Sequence, residues 1–202
     1  MKIKLTSANT VFLSAIVMTI LLLLYLTFFS DLPVGSIKFV KEDIYINVSP
    51  ETLNIRGLYQ YRSNSFIKSK HTLFYPFYLG PDSLFPTYFS VKTDDSHLDY
   101  KQDEDIMKFE LQISNNHDAV VEVIYEQPLT GNNAVYLTET TQYWDDPVKK
   151  ANFYIKLSEK IKDATVTTPF NEISSITDQK EFTYTDFYPM GNFIVKWEKQ
   201  NG

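Results

Sequence analysis

The sequence predicts an all-β protein, an antiparallel β-sandwich preceded by one N-terminal transmembrane helix. Three observations predict it. Past residue 37, short segments of apolar–polar alternation recur with turn residues between them, as in antiparallel sheets buried on one face. Fourteen Tyr and fifteen Phe against six Gly supply rings to fill two inner faces that meet about 10 Å apart. Residues 11–29, VFLSAIVMTILLLLYLTFF, carry no charge, Gly or Pro. At about 1.5 Å per residue they span a hydrocarbon core of about 30 Å.

The apolar run sets the domain organisation. A cleaved signal peptide has an apolar core of about 7–15 residues before a small-residue site. This run is longer, and the best cut, after Val34-Gly35-Ser36, matches the small-x-small pattern imperfectly. The expectation is a retained signal anchor over residues 11–30, behind a short cytoplasmic N-terminus, residues 1–10. Lys2, Lys4 and the amino terminus stay inside under the positive-inside bias, so the protein is single-pass with its C-terminal domain outside. Pro33 and Gly35 make residues 31–36 a linker. Residues 37–202 are then one extracytoplasmic domain, with the lipid bilayer as a partner of the helix.

Charge and cysteine use narrow the function. Past residue 30 stand 17 Lys and Arg against 25 Asp and Glu, a balance of −8. That argues against nucleic acid, whose phosphates need clustered cations, and no polybasic stretch suits an anionic leaflet. With no Cys there is no disulfide framework, thiolate metal site or Cys nucleophile.

Along the domain, Ile44, Ile46 and Val48 alternate with polar residues. Leu53, Ile55, Tyr59 and Tyr61 share one face; Asn54, Arg56, Gln60 and Arg62 share the other. Gly57 interrupts that strand and marks a bulge or a close backbone approach. The run Leu73-Phe74-Tyr75-Pro76-Phe77-Tyr78-Leu79 reads as buried, and Pro76 puts it on an edge or between sheets. Gly80-Pro81-Asp82 is a turn, residues 87–92 a strand, and residues 93–105 a polar segment. Met107, Phe109, Leu111 and Ile113 give the clearest alternation. With the turn Asn115-Asn116-His117-Asp118 and the return of Val121, Val123 and Tyr125 they read as a hairpin. Gly131 turns the chain into residues 135–138. Later strands are expected at 153–157, 165–168, 181–184 and 193–197, with one short helical candidate at 158–163. About ten short strands of this kind suit a sandwich of the broad immunoglobulin-like type.

Several segments carry a resemblance. Gly57-Leu58-Tyr59-Gln60-Tyr61, Leu73-Phe74-Tyr75-Pro76-Phe77, Tyr125-Glu126-Gln127-Pro128-Leu129-Thr130-Gly131 and Thr140-Thr141-Gln142-Tyr143-Trp144 resemble those of exported prokaryotic β-sandwich proteins. In these a Y-x-Q-x-L-x-G strand end precedes a T-x-x-W strand. Phe187-Tyr188-Pro189 and Phe193-Ile194-Val195-Lys196-Trp197 are similar to their closing segments. The likeness runs over most of residues 45–197. It implies the fold and brings no active site with it.

Candidate chemistry is sparse. His71, His97 and His117 lie in or beside polar turns without metal-ligand spacing and read as exposed loop histidines. Ser96-His97 beside Asp94 and Asp95 is too local for a triad, and no G-x-S-x-G occurs. Asp94, Asp95, Asp99, Asp103, Glu104 and Asp105 crowd one segment with oxygens of the kind Ca²⁺ takes, but outside the EF-hand pattern. They read as a solvated loop. Asp145-Asp146-Pro147 reads as a turn. Tyr59, Tyr61, Tyr75, Phe77, Tyr78, Phe85, Tyr88 and Phe89 read as core, with a carbohydrate- or peptide-binding surface as the alternative. Asn47-Val48-Ser49 is a glycosylation sequon for hosts that glycosylate exported chains.

The reading is a non-catalytic binding or structural module with a protein or glycan partner, no catalytic or metal site and no cofactor. One alternative is a glycan-active, carboxylate-dependent hydrolase using the acidic segment or Asp145 and Asp146. Another is an accessory subunit of a membrane complex.

Overall fold

Alternation decides which side chains face inward; the backbone ladders decide what they face. The computed structural model describes residues 37–63, 68–94, 96–114 and 117–198. The expected anchor, its N-terminal flank and the linker lie outside the described residues, as do Asp95, Asn115 and Asn116. Among the described residues no helix is long and apolar enough to cross a membrane.

These residues form strands β1 (Ile37–Val48), β2 (Thr52–Ser63), β3 (Ser69–Pro76), β4 (Tyr88–Thr93), β5 (Ser96–His97), β6 (Tyr100–Asp103) and β7 (Ile106–Ile113). Then follow β8 (Asp118–Pro128), β9 (Asn133–Tyr136), β10 (Val148–Leu157), β11 (Ala164–Thr167), β12 (Ile173–Ile176), β13 (Gln179–Phe187) and β14 (Phe193–Trp197). A seven-stranded sheet runs β13-β10-β1-β2-β8-β4-β5. A four-stranded sheet, β12-β11-β14-β9, and a three-stranded sheet, β3-β7-β6, complete the all-β, sandwich-like fold.

Both smaller sheets pack on one face of the large one. Phe193 of β14 lies 4.5 Å from Phe153 of β10, centroid to centroid, so the four-stranded sheet covers the β10 side. Tyr75 of β3 lies 5.8 Å from Tyr125 of β8, so the three-stranded sheet covers the β8 side. The other face is polar: Arg56 and Lys92 each hold Glu122 at 2.6 Å, and Tyr45 stacks on Tyr154.

Several expectations need correction. The sheets are mixed rather than antiparallel throughout, because β1 and β10 pair in parallel. Ile44, Ile46 and Val48 stand beside Phe153, Ile155 and Leu157 there, and alternation is blind to strand direction. The Met107–Tyr125 hairpin does not form. β7 pairs with β3 and β6, while β8 pairs with β2 and β4, so the chain crosses between layers at that turn. Phe109 and Leu111 are buried as expected, but β7 belongs to the three-stranded sheet and does not lie beside β8 in the large one. Residues 158–163 are not helical, and the T-x-x-W segment is a 3₁₀ turn, Glu139–Tyr143, not a strand. The polar segment 93–105 contains β5 and β6, exposed strands that single-face alternation does not reveal. Pro76 ends β3, an edge strand, as its missing donor requires.

The Y-x-Q-x-L-x-G stretch acts as a clamp. Gln127, fully buried, donates from Nε2 to the carbonyls of Tyr78 (2.7 Å) and Leu84 (2.9 Å), holding the loop before β4. Gly131 leaves room for Asp82, whose Oδ1 would sit 2.0 Å from any Cβ there.

Candidate functional site

Between the two smaller sheets the inner face of the large sheet is not fully covered. A cleft of about 920 Å³ opens there, floored by β1 and β2 and walled by β3 on one side and the β9–3₁₀ segment on the other.

A bulge places the key residue on that floor. Phe39 stands opposite Tyr61, but Lys41 stands opposite Gln60, so β1 carries one extra residue at Val40. Without it, the alternation begun at Ile37 and Phe39 would turn Lys41 and Asp43 inward. With it, those two pair with each other at 2.6 Å on the outer face, and Glu42 joins Ile44 on the inner one. Glu42 is only 4% exposed, and its Oε1 has no hydrogen-bond partner in the protein. Burial, aided by the neighbouring Asp43 charge, pushes its carboxyl from 4.5 up to about 8. At neutral pH the group is therefore mostly a protonated acid.

Tyrosines surround it. Tyr59 is its cross-strand partner on β2. The Tyr59 ring folds back over Gly57, where a Cβ would meet the phenol oxygen at 2.3 Å. Gly57 thus serves a close approach, and the ladder through it is unbroken. From that position the Tyr59 hydroxyl bonds those of Tyr75 and Tyr136, each at 2.9 Å. One phenol so links all three sheets. Burial holds the Tyr59, Tyr75 and Tyr136 hydroxyls protonated, with pKa values well above the ordinary one.

An aromatic box closes one end. Phe39 stacks on Tyr61 at 5.3 Å, and Trp144 lies 5.5 Å from both. The 3₁₀ turn delivers Trp144: its start is pinned by Asn192 Oδ1, which accepts from Thr138 N at 2.8 Å, and Gln142 donates to the Pro189 carbonyl. Asp105 and Glu139, both exposed, stand at the cleft margin. His71 also lines it, bonded to Ser69 at 2.8 Å, with its pKa lowered by burial.

The structure divides the sequence's aromatic set. Tyr59, Tyr61, Tyr75 and Phe77 line the cleft; Phe89 and Phe85 pack behind Phe77, and Tyr88 is 54% exposed. It does not gather the acidic candidates. Asp94, Asp99, Asp103, Glu104 and Asp105 are spread over exposed backbone, with Asp103 held by Lys108. Asp145 is exposed and Asp146 pairs with Lys38 at 2.6 Å. His97 and His117 are exposed on β5 and the β7–β8 crossing, away from His71 in sequence and sheet. Among the described residues no group of three or more His, Asp or Glu side chains could hold a metal ion. Asn47 of the sequon is exposed at the end of β1. Sequence reading missed Glu42, Phe39 and Trp144. The available signal was a carboxylate two residues before Ile44, on the parity of the buried face.

No protein-family model and no curated protein matches the sequence. Among solved structures the chain is similar to a Legionella pneumophila protein described as a "putative nutrient binding protein". The TM-score is 0.59 at 10% identity, over 80% of this chain and 67% of that one. It is also similar to an M1 zinc metallopeptidase from Deinococcus radiodurans, with a TM-score of 0.46 at 12% identity. That match covers 81% of this chain but 43% of the peptidase.

Proposed function

We propose that this protein is a non-catalytic ligand-binding module, held outside the cell membrane by residues 11–30, that takes a small molecule into the cleft between its two smaller sheets. One observation carries the reading: an aromatic-lined cleft of about 920 Å³ converging on a buried carboxyl with an unpartnered oxygen. Small-molecule sites are concave, mostly apolar and supplied with a few placed polar groups, within about 300–1,000 Å³. The Legionella neighbour's description as nutrient-binding agrees with it. The immunoglobulin-like character belongs to the same reading, as a sandwich used for recognition, with the seam in its second layer as the recognition feature.

Thermal melting of the full chain against a panel of amino acids, amines, sugars and nucleosides tests the function. A ligand at one hundred times its Kd stabilises by about 2.7 kcal/mol, a readily measured rise in Tm. The rise should vanish in Tyr61→Ala. A panel without any rise that depends on Tyr61 overturns the reading. The membrane placement has its own test: an N-terminus near residue 37 in the mature protein, by mass spectrometry, would show that the anchor is cleaved.

A further inference from the structure

Resting on the binding-module reading, we infer that the ligand is a small organic cation bearing an N–H, a protonated amine seated against Glu42 and the rings of Phe39, Tyr61 and Trp144. Three features converge on that chemistry. The first is the unpartnered Oε1 of Glu42, an acceptor nine-tenths buried on the cleft floor. A buried acceptor without a donor is costly, and an ammonium N–H supplies both the hydrogen bond and the opposite charge.

The second is the aromatic box. Cations are attracted to ring faces, with Trp the strongest partner, and desolvation strengthens the attraction. Phe39, Tyr61 and Trp144 lie within 5.5 Å of one another and line the same cleft as Glu42. The third is the charge around the cleft. Asp105 and Glu139 face it from either side, while its one lysine, Lys70, is already paired with Glu110. A neutral sugar would use the rings but would leave this acidic bias unexplained. A quaternary ammonium would use the charge but bring no donor to Oε1.

Proton linkage follows from the same site. Glu42 faces Tyr59 and Tyr61 from β2, Tyr136 from β9 and Ala151 from β10, with Asp43 beside it on its own strand. Across the cleft β3 presents Tyr75, Lys70 and His71, and β8 presents Tyr125. The buried phenols stay protonated through this range, so the proton that moves is the one on Glu42. An ammonium binds the carboxylate, so docking at pH 7 releases that proton. Affinity should then rise as pH climbs from 6 toward about 8.

The probes are benzylammonium, benzyl alcohol and benzyltrimethylammonium, titrated by calorimetry into the full chain in nanodiscs of zwitterionic lipid, with empty discs as blank. Benzylammonium should bind at least tenfold more tightly than either of the others at pH 7. It should release up to one proton, read from buffers of different ionisation enthalpy. Glu42→Gln should abolish both the preference for benzylammonium over benzyl alcohol and the proton release. The ranking of the three probes on the unmodified protein stands even if that variant does not fold. Equal binding of benzylammonium and benzyl alcohol overturns the cation while leaving the binding module intact. A preference for benzyltrimethylammonium overturns the N–H requirement. Binding of none of the three, together with a flat melting panel, overturns both.

Discussion

Two aromatic clusters sit on the same face of the same sheet and behave as opposites. Around β10, Phe153, Phe187 and Phe193 are at most 1% exposed, with Phe182 and Phe170 against their edges. One strand over, around β1 and β2, the rings are mostly Tyr, a carboxyl lies among them and a cleft remains. The boundary is a single step of the parallel ladder, where Glu42 stands beside Ala151. Phenylalanine has no polar atom to satisfy, so a third ring can close over two and fill the volume. A phenol must bring its hydroxyl to a partner, and the Tyr59–Tyr75–Tyr136 chain spends its geometry doing so. The phenylalanine cluster is packing; the tyrosine cluster is a held shape.

Truncation should expose that difference most strongly. Phe153→Ala should cost about 3–5 kcal/mol in urea unfolding, because its cavity is sealed on all sides. Tyr61→Ala should cost clearly less, since the space it vacates joins an existing cleft. Equal costs would mean the cleft wall is ordinary core.

The next effect appears with pH. Between pH 4.5 and about 8 the folded chain holds a proton on Glu42 that the unfolded chain has lost. The resulting stability is fully present below the unfolded pKa and is lost as pH rises through the folded one, on the order of 5 kcal/mol in all. Asp118 and Asp146, whose pKa values are lowered by Arg62 and Lys38, act with the opposite sign and only below the ordinary carboxylate range. His71, lowered by burial, also opposes the trend as pH falls below 6.5. The decisive quantity is therefore the difference between the unmodified chain and Glu42→Gln, which should widen in favour of the variant toward pH 8. A difference independent of pH would place Glu42 in water.

Gly57→Ala comes third. The new methyl would meet the Tyr59 ring, and overpacking of this kind costs about 1–3 kcal/mol. It should also displace the Tyr59 hydroxyl and weaken ligand binding, whereas a neutral outcome would show that the ring has room to move. Smallest is Tyr59→Phe, which keeps the ring and removes the central hydroxyl. About 1 kcal/mol should be lost as the Tyr75 and Tyr136 hydroxyls each forfeit a partner. In the phenylalanine cluster the corresponding swap is open only at Tyr184, a half-buried ring that packs on Phe153, Phe170 and Phe187.

The all-β class and the inward faces of β1, β2, β7 and β8 were legible in the sequence, as were Pro76 and Gly57 as special positions, each with two readings between which only the sheet order and the Tyr59 ring chose. Each of these depends on a residue's own backbone or on a two-residue period, and both are written locally. The tertiary structure alone decided the rest. Met107–Ile113 and Val121–Tyr125 alternate as well as any hairpin, yet they lie in different layers, because ladder hydrogen bonds join peptide groups that are the same for every sequence. The parallel pairing of β1 with β10 was hidden for the same reason. Glu42 reached the cleft through one extra residue at Val40, and a one-residue change of register reverses which side chains face the core. Phe39, Tyr61 and Trp144 stand far apart in the chain, and they became one box only when the sheet and the 3₁₀ turn brought them within 5.5 Å.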